Sequence, residues 1–200
     1  MMTRSRLILL IAAGLIVISG IYLVITFNKL VGQEESVNLA WSELQNVYKR
    51  RADMVPSLVT IVKGAAAFEK SVLEEVATAR SRAANATSSV LNAEEYQKQE
   101  EAQSRLALSM NRAIAIVEAY PDLKASKSFL YLQSQLEGTE RRIKFARKDF
   151  NASVNDYNTS VRQFPSSLVA RLTGFKLKEG FKADEGTEVA PEVKFNTSSK

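Results

Sequence analysis

From Leu7 to Phe27 no position carries a charge, and from Val37 onward apolar residues return at steps of three and four. The chain therefore divides into one continuous apolar stretch and a series of amphipathic helices. At about 1.5 Å of rise per residue, a helix over the first stretch reaches about 30 Å, the hydrocarbon thickness of a bilayer. A cleaved signal peptide needs a shorter apolar core, about 7–15 residues, and a small-residue cleavage site. The sequence Asn28-Lys29-Leu30-Val31-Gly32-Gln33 supplies no such site. The expectation is an uncleaved transmembrane anchor over residues 1–28.

Four further stripes are legible. Val37, Trp41, Leu44, Tyr48, Val55, Leu58, Val62 and Ala65 form the first. Only Gly32 interrupts the path from the anchor, so span and stripe can be one rod, kinked near residues 51–55 by the missing N–H of Pro56. The second carries Phe68, Val72, Val76, Ala79, Ala83 and Val90, with a small, polar connection near residues 81–89. Asn92 with Glu95 has the spacing of a capped helix start. The third stripe runs through Tyr96, Gln103, Leu106, Met110, Ala113, Val117 and Tyr120 to Pro121. Ser126 can cap the fourth, which holds Phe129, Leu132, Leu136, Ile143, Ala146, Phe150, Val154, Tyr157, Val161 and Phe164 before Pro165. Long stripes joined by short turns predict an all-α fold, an antiparallel up-and-down bundle over residues 29–172. Residues 173–200, with Phe175, Phe181 and Phe195 among Lys, Glu and Gly, read as a loosely packed tail that sets aromatic residues on the bundle in places.

Composition removes several kinds of chemistry. The absence of cysteine excludes disulfides and thiol catalysis, and the absence of histidine excludes Ser-His-Asp triads, His-ligated zinc and Glu-x-x-His di-iron sites. No Asp/Asn/Gly calcium loop or Gly-rich phosphate loop is present. The sequence thus offers no catalytic, cofactor-binding or metal-binding residue, and an enzyme would have to work with carboxylates alone. The net charge of +5 is spread among acidic residues. The densest clusters, Lys49-Arg50-Arg51 and Arg141-Arg142-Lys144-Arg147-Lys148, read as solvated helix faces, and nucleic acid is not an expected partner.

One charge falls where a core residue belongs. At 100° per residue, Arg51 lies in the centre of the first stripe, and a buried guanidinium requires a carboxylate or carbonyls around it. Glu140, Arg147, Asn151 and Asn158 share a line on the fourth helix, and Glu140 is the expected partner of Arg51. This polar network of Arg51, Glu140, Arg147, Asn151 and Asn158 either sets helix register or lines a ligand pocket; register is the favoured reading. Trp41, at a stripe position, is expected to anchor the core. The N-x-S/T sequons at Asn85, Asn151, Asn158 and Asn196 read as chance.

The blocks Ala40-Trp41-Ser42, Lys49 through Pro56 and Leu58-Val59 resemble the signature of the LemA family of bacterial membrane proteins. So do Tyr120 through Ala125, Thr139-Glu140, Arg147, Asn151, Tyr157-Asn158, Phe164-Pro165 and Pro191 through Phe195. The likeness covers about residues 29–195 and departs mildly, with Met54-Val55-Pro56-Ser57-Leu58 where the family often has Leu-Ile-Pro-Asn-Leu. It implies an N-terminal anchor, a helical bundle and no established enzymatic activity. Some relatives belong to magnetosome gene sets, and others are discussed with envelope stress or membrane proteases.

The functional expectation is a non-enzymatic, single-pass protein of the bacterial inner membrane that presents a helical scaffold or adaptor. Its expected partners are the lipid bilayer and other membrane or envelope proteins, with homo-oligomers allowed and no cofactor. The alternative is a tethered sensor that binds a small ligand or ion near Arg51 and Glu140 and signals through the anchor. Arg4 and Arg6 against Lys29 lean towards a cytoplasmic N-terminus and an external bundle.

Overall fold

The computed structural model describes residues 4–65, 70–86 and 93–181. The expected positions Phe68, Val90, Asn92, Phe195 and Asn196 lie outside the described residues, as does the tail beyond Phe181. Seven helices are present and no strand among the described residues: α1 Arg4–Asp53, α2 Val55–Val62, α3 Lys70–Asn85, α4 Ala93–Glu118, α5 Pro121–Lys124, α6 Lys127–Arg162 and α7 Ser166–Thr173.

The apolar stretch and the first stripe are one uninterrupted helix, because neither Gly14, Gly20 nor Gly32 breaks the ladder within α1. Every described side chain from Ile8 to Ile25 is exposed, whereas Val37, Trp41, Leu44 and Tyr48 are buried. Among the described residues, one helix, that from Ile8, is long and apolar enough to cross a membrane. The interruption expected from Pro56 falls at Met54, a single turn residue that keeps right-handed helical angles. The stripe therefore resumes in register, and Ala52, Val55, Leu58 and Val62 enter the same core cluster.

The long helices alternate in direction, and the core changes character along them. In the half farther from the apolar stretch, α2, α3, α4 and the first part of α6 enclose Leu58, Val62, Val76, Leu106, Met110, Val117, Phe129 and Leu132. Ser126 caps α6 by accepting from the Phe129 N–H at 3.3 Å. Nearer the apolar stretch, α1 and α6 pack on each other around Val37, Trp41, Leu44, Tyr48, Ile143, Phe150, Val154 and Tyr157, with Tyr96 from the start of α4. Below that, Leu30 of α1 meets Val169 and Ala170 of α7.

Two features of the C-terminal part depart from the stripe pattern. Helix α6 ends at Arg162, so Phe164 leaves the core line and stands 76% exposed. A further helix, α7, follows, and it closes on Gly174 in the left-handed conformation (φ 83°) with the Phe175 N–H on the Ala170 carbonyl at 3.0 Å. Glycine suits that backbone because a Cβ would be strained there. The turn sends residues 175–181 back along α6 as an extended segment, which supplies the cover that α3 and α4 give to the other half.

Candidate functional site

Arg51 projects from the last turn of α1 into the seam between α4 and α6 and is 5% exposed. Its Nη2 donates to Glu140 Oε2 at 2.6 Å, and its Nη1 donates to the Gln103 carbonyl at 3.2 Å and to Gln103 Oε1 at 3.5 Å. Glu140 is about half exposed, so the pair joins a buried cation to an anion that water still reaches. Gln103 takes up a stripe position and also binds the guanidinium, whose Nε is buried without a hydrogen-bond partner.

Nearer the apolar stretch, about two turns along α6 from Glu140, Arg147 Nε donates to the Tyr48 hydroxyl at 2.9 Å, and its Nη2 lies 3.3 Å from Glu100 Oε1. Its guanidinium carbon stands 4.8 Å from the Phe181 ring centroid, a cation–π contact. Burial raises the Tyr48 phenol above the ordinary tyrosine range, and Arg147 partly opposes that shift. Burial likewise raises Tyr96. Arg51, Glu140 and Arg147 line one open groove of about 380 Å³, together with Tyr48, Gln103 and Lys144.

Asn151 and Asn158 do not join that groove. Asn158 Nδ2 donates to the Lys178 carbonyl at 2.7 Å, and its Oδ1 accepts from the Lys178 N–H at 2.9 Å. Asn151 treats Phe181 the same way, donating at 3.1 Å and accepting at 2.9 Å. Each side-chain amide thus pairs with both backbone groups of one residue, as a neighbouring strand would. The Tyr157 hydroxyl adds a bond to the Lys176 carbonyl at 2.9 Å, and Lys178 pairs with Glu34 of α1 at 2.9 Å. Burial pushes the Tyr157 phenol up to about 12, and the Glu34 charge adds to the shift.

The docked segment delivers Phe181 to an aromatic cluster. Trp41, 3% exposed, has ring centroids of Tyr96, Phe150 and Phe181 at 4.8, 5.4 and 6.1 Å. Gly180 lets the chain come this close: a Cβ there would stand 2.7 Å from Asn151 Oδ1. The sequence placed Tyr48 on the first stripe but gave no sign of its bond with Arg147, nor of Glu100 or the backbone of residues 178 and 181. The seven-residue spacing of Asn151 and Asn158 was visible, but the backbone that they hold was not.

The model of the LemA family matches residues 40–195, most of the chain and every residue of this geometry except Glu34. The chain belongs to the LemA family. It is also similar to Magnetosome protein MamQ 2 of Paramagnetospirillum magneticum, 25% identical over 180 residues, 80% of this chain and 65% of that protein. Magnetosome protein MamQ of Magnetospirillum gryphiswaldense is 36% identical over 73 residues, 36% of this chain and 27% of its own length. Protein LemA of Metamycoplasma hominis is 26% identical over 144 residues, 72% of this chain and 63% of that one. The chain thus spans less than two thirds of the length of the curated relatives it matches. As a LemA family member, it places Trp41, Arg51, Glu140, Asn151 and Asn158 inside the matched region.

Proposed function

We propose that this LemA family chain is a non-enzymatic, single-pass inner-membrane protein that works as a scaffold or adaptor, its bundle rigidly fixed to its anchor. The observation that carries the reading is α1. Its first part exposes apolar side chains and its second part supplies Val37, Trp41, Leu44 and Tyr48 to the core, with no break between. Orientation at the lipid therefore passes directly into the bundle, and confinement raises the local concentration of its outer faces for membrane or envelope partners, or for further copies of itself. In keeping with this, the names of the relatives specify no reaction. The charges flanking the span, Arg4 and Arg6 against Lys29, support an N-terminus in the cytoplasm and a bundle outside.

Crosslinking in intact membranes, with identification of the captured neighbours, tests the proposal. The protein is expected to stay with membranes in alkaline carbonate, to yield the same neighbours repeatedly, and to activate only a reporter specific for the outer side when fused at the C-terminus. Release by carbonate would overturn the anchor, and activity of a cytoplasm-specific reporter would overturn the orientation.

A sensor is the second reading, supported by the groove beside Arg51, Glu140 and Arg147 and by Gln99, whose amide is buried without a hydrogen-bond partner. Tight binding of a metabolite by the purified full chain, with no specific neighbour captured, would favour it over the scaffold.

A further inference from the structure

Helix α7 sits beside the end of the apolar stretch. Burial on α1 begins at Thr26, 5% exposed, after an exposed run from Ile8 to Ile25. Leu30 packs on Val169 and Ala170, and the Phe27 and Phe175 ring centroids are 5.8 Å apart. Thr26 to Leu30 covers only about 6 Å of helix axis, so α7 stands at the level where the stretch gives way to polar sequence.

Only one side of α7 is used by the bundle. At 100° per residue, Leu168 and Leu172 point about 130° away from the buried pair Val169 and Ala170. They are 52% and 78% exposed, and Phe164 and Leu177 on either side of the helix are 76% and 56% exposed. Elsewhere in the bundle the large exposed apolar side chains Leu39, Leu108 and Phe145 stand singly and Leu130 and Tyr131 form one adjacent pair, which is normal for a protein surface. Four within one short segment are not. The same segment carries Arg162, Arg171 and Lys176, with Lys178 turned to Glu34, and no acidic residue from Arg162 to Lys178. Exposed apolar side chains interleaved with basic ones, at the height of a membrane boundary, match the chemistry of an anionic headgroup layer over acyl chains.

We propose that the α7 segment is a second membrane contact, with Leu168 and Leu172 seated in the bilayer interface beside the exit of α1. The proposal rests on the anchor reading given above. A span alone leaves the bundle free to rotate and tilt; a second contact fixes which of its faces points along the membrane and which away. The occupant is lipid because this exposed apolar face stands at the level where the exposed apolar run of the span ends.

The chain has no cysteine, so single labels are clean. The full chain is reconstituted in phosphatidylcholine/phosphatidylglycerol vesicles with an environment-sensitive dye on Leu168→Cys, Leu172→Cys, Leu15→Cys or Leu108→Cys. At Leu168→Cys and Leu172→Cys we expect blue-shifted emission, loss of quenching by aqueous iodide, and quenching by lipids spin-labelled near the headgroup. Leu15→Cys should respond to labels deep in the acyl chains, and Leu108→Cys to iodide. Aqueous signals at both α7 positions with Leu15→Cys in lipid would overturn the inference and leave the anchor standing. An aqueous Leu15→Cys would overturn the anchor and the inference with it. Shielding from iodide at α7 without quenching by any lipid label would overturn it in favour of a protein contact. All four positions are exposed in the bundle or span, and unchanged helical content and melting show that the labels leave the fold intact.

Discussion

Asn151 and Asn158 hold the returning chain at two points, and their spacing matches it: seven residues of helix α6 rise about 10.5 Å, and the three steps from Lys178 to Phe181 in extended backbone cover about 10 Å. A helix and an extended strand seldom share a repeat, but here they come into step once. Each asparagine closes a ring of two hydrogen bonds with one residue of the segment.

Losing either ring should free the segment without unfolding the bundle. Asn151→Ala or Asn158→Ala is expected to weaken docking by about 1–3 kcal/mol, two modest hydrogen bonds each. Hydrogen exchange checks this: the Lys178 and Phe181 amides should exchange faster while α6 amides such as Val154 stay protected. Gly180→Ala should act like Asn151→Ala, since the new Cβ would press on the Asn151 amide oxygen.

The Arg51–Glu140 pair is asymmetric, and its variants should be as well. Glu140→Ala leaves a guanidinium that is 5% exposed with Gln103 as its remaining hydrogen-bond partner, and is expected to cost about 1–3 kcal/mol. Arg51→Met leaves a carboxylate that water already reaches and places an apolar chain in the seam, so it should cost less or stabilise. Urea unfolding of both single variants and the double variant measures the coupling; equal losses would contradict the asymmetry.

Trp41→Ala should be among the most destabilising single changes near the anchor, by about 3–5 kcal/mol for a large buried aromatic. Because the ring also faces Phe181, the variant is expected to release the returning segment, read as faster exchange at the Phe181 amide.

Alkaline pH should loosen the same region. The Tyr157 phenol titrates at about 12 in the folded protein against 10.0 for an ordinary tyrosine. Between those values the folded state binds more protons than the unfolded one, so stability is intact below pH 10 and falls as pH rises towards 12. Tyr48 and Tyr96, also raised by burial, act in the same direction. Thermal unfolding across this range should show a falling midpoint, and Tyr157→Phe should flatten the fall.

Much of the fold follows from residues read along the chain. The uncharged run from Leu7 to Phe27, the stripes and the caps each depend on contacts within a few residues, where sequence distance and spatial distance agree. The seat of Trp41 in the core follows from its place on a stripe. The line from Glu140 to Asn158 was visible as well, but 18 residues span about 27 Å of helix. That length allows different neighbours at each height, and the structure has Arg51 beside Glu140, Tyr48 and Glu100 beside Arg147, and the chain's own backbone beside both asparagines.

The sequence by itself determined the helices, the apolar stretch and the faces that must be covered. Tertiary structure alone decided how high α4 stands against α1 and α6, that α6 stops before Phe164, and that residues 175–181 turn back to cover Trp41 and Phe150. The physical reason is that helical periodicity is a local property, fixed turn by turn. The meeting of residues far apart in the chain depends on where whole helices come to rest against each other, and side-chain pattern along one helix carries no measure of that height.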